Sequence, residues 1–157
     1  MRVLELGAAP GGWTQVLRPI LGAQGDMLAV DCLAMAKVPQ VTFLCGDIKD
    51  VAVQSSIDQW VGVTGVNWVI SDMAPNLTGI RASDQAKSLE LNELCLHLSL
   101  RWLKPGKGGL LIKVFQGSGL NEFFDKLKTS FKQVEYCKPE ASRAQSRECY
   151  ILARGLK

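Results

Sequence analysis

A glycine-rich turn close to the start of the chain constrains the fold more than any other feature of the sequence. Residues 5–13 read ELGAAPGGW; an apolar run precedes them and a segment with helical spacing follows. A strand that turns through glycines into a helix presents backbone N–H groups to a ligand at the carboxyl end of the strand. Gly7 permits a tight turn, and Gly11 and Gly12 leave space for a ligand because they carry no Cβ. The pattern therefore predicts a strand–turn–helix unit that binds a nucleotide-like ligand.

The spacing of these glycines differs from that of two familiar phosphate-binding loops. It matches neither G-x-G-x-x-G nor G-x-x-x-x-G-K-S/T, because no Lys-Ser or Lys-Thr follows the turn. The site therefore need not bind a pyrophosphate or a triphosphate. Glycines also punctuate ordinary loops, so the turn by itself leaves a purely structural role open.

Size and composition indicate a single soluble globular domain over residues 1–157. The chain is 47% hydrophobic and 21% charged, which is typical of a protein with a sizeable core. No apolar run approaches the length of a membrane span, and Glu5 with the glycines interrupts any signal-peptide core. The net charge of +3 permits binding to nucleic acid without arguing strongly for it.

The cysteines and the one histidine give no sign of a metal site. The five cysteines form no C-x-x-C pair and no cluster with histidine. We interpret them as small buried hydrophobic residues that stay reduced in a reducing compartment. They are Cys32, Cys45, Cys95, Cys137 and Cys149. His97 lies in a predicted helix, where a structural or surface role is expected.

Strand-like and helix-like runs alternate along the whole chain. Strands are predicted at residues 2–6, 27–31, 41–45, 68–71, 110–115, 133–138 and 148–153. Helices are predicted at residues 13–21, 51–61, 83–103 and 119–131. Alternation of this kind with nearly continuous apolar strands predicts an α/β fold, a doubly wound and mostly parallel sheet with helices on both faces.

Acidic side chains coincide with the ends of several predicted strands. Asp31, Asp47 and Asp72 end or follow the second, third and fourth strands, and Glu5 lies in the first. Ligands of such sheets bind beyond the carboxyl ends of the strands, where an acid often accepts hydrogen bonds from ribose hydroxyls. An acid after the third strand can accept from an exocyclic amine of a base. Acids also favour loops and helix N-termini for structural reasons, but their alignment with the glycine turn favours a cofactor site.

This combination suits S-adenosylmethionine better than a nicotinamide dinucleotide. The glycine turn is not of the dinucleotide type, and the chain is short for a dehydrogenase with its own substrate domain. S-adenosylmethionine carries a sulfonium cation and no phosphate, so a site with several acids and few bases fits it chemically.

Lys113 interrupts the otherwise apolar strand predicted at residues 110–115. A lysine in a buried strand is costly unless it is paired or functional, although a lysine near a strand end can extend its ammonium to solvent. We interpret Lys113 as projecting into the cleft opposite Asp72, either as a base or as a cation that positions a hydroxyl. Glu148, at the start of the last strand, is a candidate because it fits with this pair; at a sheet edge it would be a plain solvated charge.

Basic residues flank the start of the last predicted strand. Lys138, Arg143 and Arg147 are candidates for contacts to nucleic-acid phosphates. The same segment also has the composition of an ordinary solvent-facing loop, and the sequence does not distinguish the two interpretations.

Six segments, in this order along the chain, resemble the FtsJ-like ribose 2'-O-methyltransferases. They are LGAAPGGW (6–13), AVDCL (29–33), LCGDI (44–48), SDMAPN (71–76), KVFQG (113–117) and KPEASRAQSRECYI (138–151). SDMAPN with KVFQG is most similar to the bacterial branch that acts on large-subunit ribosomal RNA. The resemblance implies a Rossmann-like methyltransferase domain with a seven-stranded sheet whose last strand is antiparallel.

The resemblance also implies a set of site residues, with no metal. S-adenosylmethionine would be bound by Gly7, Gly11, Gly12, Trp13, Asp31, Asp47 and Asp72. The family's catalytic set is Lys-Asp-Lys-Glu, and Asp72, Lys113 and Glu148 match its last three members. The first lysine, which precedes the glycine turn in the family, has no counterpart in this sequence. Lys37 and Lys49 lie in other contexts.

The function implied by the resemblance is methylation of a ribose 2'-hydroxyl in large-subunit ribosomal RNA, with S-adenosylmethionine as donor. Because the first lysine is unmatched, a catalytically weak module that binds cofactor or RNA is one alternative. A 2'-O-methyltransferase acting on another RNA is a second alternative. A small-molecule methyltransferase or nicotinamide-linked enzyme would turn over without RNA. The expected partner is ribosomal RNA within the large subunit rather than a membrane. A monomer is expected, in the cytoplasm rather than a mitochondrial matrix.

Overall fold

Seven strands form one mixed sheet in the computed structural model, which describes residues 1–138 and 146–157. The strands are β1 (Arg2–Leu6), β2 (Asp26–Asp31), β3 (Thr42–Cys45), β4 (Trp68–Ser71), β5 (Gly109–Phe115), β6 (Phe131–Cys137) and β7 (Glu148–Leu156). The helices are α1 (Gly12–Leu21), α2 (Val51–Val61), α3 (Arg81–Trp102) and α4 (Leu120–Ser130), and a 3₁₀ turn follows α2.

The order of the strands places a switch point at β1. Across the sheet the order is β3-β2-β1-β4-β5-β7-β6, so β1 pairs with β2 on one side and with β4 on the other. The pairs among β1 to β5 are parallel, whereas β7 is antiparallel to both β5 and β6. The predicted α/β fold with an antiparallel last strand is confirmed. In such a sheet a cleft opens beyond the carboxyl ends of the strands that flank the switch point.

The two faces of the sheet are covered by different numbers of helices. Leu4 and Leu6 of β1 belong to the main hydrophobic core, which also contains buried residues of α2, α3 and α4. Glu5 lies between them and points to the opposite face, where it accepts a hydrogen bond from Thr14 of α1. Helices therefore lie on both faces as predicted, with three on one face and α1 on the other.

α1 packs on the sheet through polar side chains. Thr14 and Arg18 are buried, whereas Val16 and Ile20 are 62% and 73% exposed. Oγ1 of Thr14 donates to Oε2 of Glu5 at 2.6 Å, and the Arg18 guanidinium donates to two backbone carbonyls of the turn that follows α1. Hydrogen bonds of buried groups therefore fix the start of α1 beside the end of β1.

The prediction that all five cysteines are buried is wrong for three of them. Cys95 and Cys149 are buried, but Cys32, Cys45 and Cys137 are exposed. Cys45 lies in β3 and Cys137 in β6, which are the two edge strands of the sheet. An apolar run in an edge strand is covered less completely than one in a central strand, and the sequence pattern alone does not show which strands form the edges.

Several elements extend beyond their predicted bounds, and α3 and β7 show why. α3 begins at Arg81 because the Asp84 carboxylate accepts hydrogen bonds from the backbone N–H groups of Thr78 and Gly79, which stabilises the first turn. β7 continues to Leu156 because it pairs with β5 and β6 along its length. No helix in the described part of the chain is long and apolar enough to cross a membrane.

Candidate active site

A cleft of about 680 Å³ lies beyond the carboxyl ends of the strands around the switch point. This volume is within the range of small-molecule sites in proteins. Five of the predicted site residues line it, and they come from four strand ends and the glycine turn. They are Gly7, Asp31, Asp47, Asp72 and Lys113. Lys87 and Glu90 of α3 add charged groups to the same lining, which sequence reasoning did not identify.

The glycine turn forms one wall of the cleft. Gly7 has a φ of +75°, and a Cβ at this position would lie 2.8 Å from the backbone nitrogen of Met73. Close packing of the turn on the loop after β4 therefore requires glycine here. Gly11, with a φ of +106°, precedes α1, and Gly12 has open space around it. Gly12 and Trp13 lie in the first turn of α1. Within the described part of the chain, the lining of the cleft does not include Gly11, Gly12 or Trp13.

The acids that follow β2 and β3 are held by backbone N–H groups. Asp31 is half-buried; its Oδ2 accepts from Ala9 at 2.9 Å and its Oδ1 from Leu33 at 2.8 Å. Asp47 is exposed, and its Oδ1 accepts from the N–H of Lys49 at 2.9 Å. An ionised carboxylate has about four acceptor positions, so both acids retain positions for hydroxyl or amine groups of a ligand.

Asp72 and Lys113 form an ion pair on the opposite side of the cleft. Nζ of Lys113 lies 3.2 Å from Oδ1 of Asp72, and the two side chains are 10% and 30% exposed. The predicted placement of Lys113 opposite Asp72 is what the geometry shows. An ammonium so little exposed and held by a carboxylate has a fixed position from which it can donate to a substrate oxygen.

Tyr150 completes this cluster and was not among the predicted site residues. Its hydroxyl donates to Oδ1 of Asp72 at 2.9 Å, and it lies directly opposite Lys113 in the register of β5 and β7. Burial raises the pKa of Tyr150, and the hydrogen bond to Asp72 with the charges of Asp72 and Glu148 raises it further. The hydroxyl therefore stays protonated and acts as a donor. Tyr150 is two residues after Glu148 in the same strand, which is the signal that places it on the same face.

Glu148 lies at the edge of the site rather than inside it. It is exposed, opposite Phe115 in the register, and is not part of the lining of the cleft. In the described ranges its carboxylate forms no hydrogen bond or ion pair with Asp72 or Lys113. Its charge nevertheless acts on Tyr150.

Glu5 is a buried acid beneath the glycine turn and also lies outside the predicted site set. It is 1% exposed, and its Oε1 has no hydrogen-bond partner among the described residues. Burial raises its pKa from 4.5 to about 7; the hydrogen bond from Thr14 opposes the shift, and the charges of Asp72 and Asp31 add to it. The carboxyl group is therefore partly protonated at neutral pH.

Arg147 makes structural contacts at the start of β7. Its guanidinium donates to the carbonyl of Gln116 at 2.7 Å and to Oε1 of Gln85 at 3.4 Å. It thereby ties β7 to the loop after β5 and to α3. Lys138 is exposed just after β6, and Arg143 lies outside the described residues. Within the ranges 1–138 and 146–157, no cluster of three His, Cys, Asp or Glu side chains is arranged to hold a metal ion.

The sheet with its antiparallel last strand, together with an acid-lined cleft at the switch point, defines the class of Rossmann-like methyltransferases. The model of the FtsJ-like methyltransferase family matches residues 1–156. The chain belongs to this family.

Curated relatives and solved structures agree with this assignment. The chain is 50% identical over 153 residues to ribosomal RNA large subunit methyltransferase E of Acidithiobacillus ferrooxidans, covering 98% of this chain and 69% of that protein. It is 46% identical over 157 residues to the Pseudomonas aeruginosa protein of the same name, covering 100% and 75%. A crystal structure assigned as a ribosomal RNA methyltransferase of Plasmodium falciparum has a TM-score of 0.87 at 25% identity, covering 99% of this chain and 86% of that one.

Proposed function

We propose that this protein transfers a methyl group from S-adenosylmethionine to a ribose 2'-hydroxyl of large-subunit ribosomal RNA. The observation that carries the proposal is the ion pair of Lys113 with Asp72 at the side of an acid-lined cleft. The names of the relatives support the substrate, because the Acidithiobacillus and Pseudomonas proteins are both large-subunit ribosomal RNA methyltransferases. We further propose a single-domain monomer that acts in the cytoplasm and uses no metal.

The chemistry of the cleft fits S-adenosylmethionine. Its lining contains Asp31, Asp47 and Asp72, which suit a cationic ligand with ribose hydroxyls and amino groups. Asp31 is held by two backbone N–H groups and retains acceptor positions on both oxygens. When bound, S-adenosylmethionine would supply an electrophilic methyl group; the carbon–sulfur bond breaks as the 2'-oxygen bonds to the methyl carbon, and S-adenosylhomocysteine is the leaving group. Gly11, just before α1, and Gly12 and Trp13, in its first turn, are proposed to contact the cofactor.

Lys113 is proposed to act on the ribose hydroxyl directly. A 2'-hydroxyl is a poor nucleophile at neutral pH, so it must be oriented and partly deprotonated. The ammonium form of Lys113 would donate to the 2'-oxygen and orient it, and the neutral amine would accept its proton. Asp72, 3.2 Å away, fixes the position of Nζ. Glu148 is proposed to complete the network through Tyr150, on which its charge acts.

Lys113→Ala tests this proposal. The protein is incubated with methyl-labelled S-adenosylmethionine and large ribosomal subunits, and the RNA is digested to nucleosides. We expect label in 2'-O-methyl nucleosides and a loss of about 100-fold or more in the variant, the size of a general acid–base contribution. Lys107→Ala is the matched control, because Lys107 is exposed in the turn before β5. This turn lies at the amino end of β5, whereas the cleft lies at the carboxyl ends of the strands.

Two results would contradict the proposal. Label found in bases rather than riboses would show another methylation chemistry, and wild-type rates in Lys113→Ala would remove the lysine from the mechanism. A parallel reaction with protein-free ribosomal RNA shows whether the assembled subunit or the free RNA is the substrate.

A further inference from the structure

Tyr150 connects the two sides of the cleft. Its ring packs on that of Trp13 in the first turn of α1, with ring centroids 5.3 Å apart and planes at 37°. Its hydroxyl donates to Asp72 at 2.9 Å. Its backbone pairs with that of Lys113 across β5 and β7. One side chain therefore contacts both the glycine-turn helix and the acid that holds the lysine.

The hydroxyl of Tyr150 and the ammonium of Lys113 share one oxygen atom. Both groups approach Oδ1 of Asp72, at 2.9 Å and 3.2 Å. The terminal torsion of an aspartate side chain is broad, so a single donor leaves the carboxylate free to rotate. Two donors on the same oxygen restrict that rotation. The Asp72 side chain is 30% exposed, so water would replace a donor that is removed.

We propose that Tyr150 is a positioning residue for methyl transfer. Its hydroxyl holds the Asp72 carboxylate in the orientation that fixes Lys113, and its ring ties this arrangement to Trp13 at the glycine turn. The effect on methyl transfer rests on the proposed function. The effect on the ion pair of Asp72 and Lys113 is a property of the folded chain and does not.

Tyr150→Phe removes the hydroxyl and keeps the ring on Trp13. Tyr136→Phe is the matched control, because Tyr136 is the other of the two tyrosines of the chain. Tyr136 stacks on Phe124 of α4 with centroids 4.4 Å apart, on the opposite face of the sheet. If both variants have the melting temperature of the wild type, neither substitution disturbs the fold.

The first measurement needs neither cofactor nor RNA. Protein labelled with carbon-13 lysine is studied by NMR relaxation, and the Lys113 signal is assigned by its absence in Lys113→Arg. We expect the order parameter of the Lys113 Cε group to fall by about 0.1 or more in Tyr150→Phe, because the Asp72 carboxylate that holds Nζ is then freer to rotate. The order parameter in Tyr136→Phe should match that of the wild type. An unchanged order parameter in Tyr150→Phe would overturn the proposal.

The second measurement is methyl transfer to large ribosomal subunits. We expect kcat of Tyr150→Phe to fall about threefold to tenfold, the range for loss of one hydrogen bond, with KM for both substrates within about twofold. A rise in KM with unchanged kcat would overturn the positioning role and make Tyr150 a binding residue. A lower Lys113 order parameter in Tyr150→Phe, found together with a wild-type protein that does not methylate RNA, would support the Asp72 contact and refute only the proposed function.

Discussion

At the scale of single residues, Gly7 shows how one backbone position serves both the fold and the site. Its φ of +75° lies in the left-handed region, and its missing Cβ would lie 2.8 Å from the nitrogen and 2.9 Å from the Cα of Met73. Its N–H donates to the carbonyl of Val30 at 2.9 Å, which ties the turn to β2. The turn therefore cannot move away from Met73 without losing this bond.

Gly7→Ala is expected to destabilise the protein and to weaken cofactor binding together. A left-handed backbone costs an alanine about 1–2 kcal/mol, and displacing the Met73 backbone adds to that. We expect the free energy of unfolding in urea to fall by about 2 kcal/mol or more. Calorimetric titration with S-adenosylmethionine should show weaker binding.

Gly12→Ala separates the two effects, because a Cβ at Gly12 meets nothing within 4 Å. As a helical position it should gain up to about 1 kcal/mol of stability from alanine. Loss of cofactor affinity without loss of stability would support its proposed contact with the cofactor. Wild-type stability in Gly7→Ala would contradict the packing argument.

The predicted site residues that line the cleft share one physical basis. Asp31, Asp47, Asp72 and Lys113 follow or occupy parallel strands, and the carboxyl ends of parallel strands meet at one edge of a sheet. Tyr150 was missed because its place opposite Lys113 depends on the register of an antiparallel pair that is distant along the chain. Periodicity within one segment carries no information on such a register.

At the scale of elements, α3 is the helix whose interior face the sequence described least well. Helical periodicity predicts an apolar side made of Leu89, Leu94, Leu98 and Trp102. Leu98 and Trp102 are buried, but Leu89 and Leu94 are only partly buried. Much of the buried face is polar, with Gln85, Ser88, Asn92 and Ser99 inside. Gln85 donates to the carbonyls of Phe115 and Ser118. Gln85 thereby satisfies backbone carbonyls of the loop after β5, a role that helical periodicity does not reveal.

The start of α3 gives a prediction about the loop that borders the cleft. The Asp84 carboxylate accepts from the N–H and hydroxyl of Thr78, at 2.8 Å and 2.7 Å, and from the N–H of Gly79 at 3.1 Å. These hydrogen bonds lower the pKa of Asp84. Asp84→Ala should therefore loosen residues 78–84, and hydrogen exchange of their amides should become several-fold faster.

Asp50→Ala is the matched control for Asp84→Ala. Both aspartates lie at the start of a helix, Asp50 just before α2 and Asp84 in the first turn of α3. The Asp50 side chain makes no capping hydrogen bond. Exchange rates near α2 should stay close to those of the wild type. Equal effects of the two substitutions on their own helices would show that the contacts of Asp84 do not order the loop.

At the scale of the whole molecule, the two faces of the sheet carry different chemistry. The face covered by α2, α3 and α4 is a continuous apolar core, and alternation of strands and helices was sufficient to predict it. The face covered by α1 contains Glu5, Thr14 and Arg18 in buried positions. Sequence patterns predict burial from hydrophobicity, so they do not identify the polar groups buried between α1 and the sheet.

Glu5 should make the stability of the whole protein depend on pH. Its pKa is about 7 in the folded protein, against an ordinary value of 4.5, mainly because of burial. Between these pH values the unfolded chain releases the proton and the folded protein keeps it. Stability therefore falls as the pH rises through this interval, by up to about 1.4 kcal/mol per unit, and the loss is complete above the folded pKa.

Glu5→Gln removes this titration while keeping an oxygen that can accept from Thr14. The amide leaves a buried donor to be satisfied, which costs about 1–3 kcal/mol at every pH. The variant should therefore be less stable than the wild type near pH 5, and this deficit should shrink or reverse by pH 8. Urea unfolding at unit intervals from pH 5 to 8 measures the difference in unfolding free energy between variant and wild type, which is expected to change by about 3 kcal/mol over the range.

Glu122→Gln, at an exposed position of α4, should keep the wild-type dependence of unfolding free energy on pH. A Glu5→Gln protein with that same dependence would show that the carboxylate is ionised at little cost, and thus that water reaches it beneath the glycine turn.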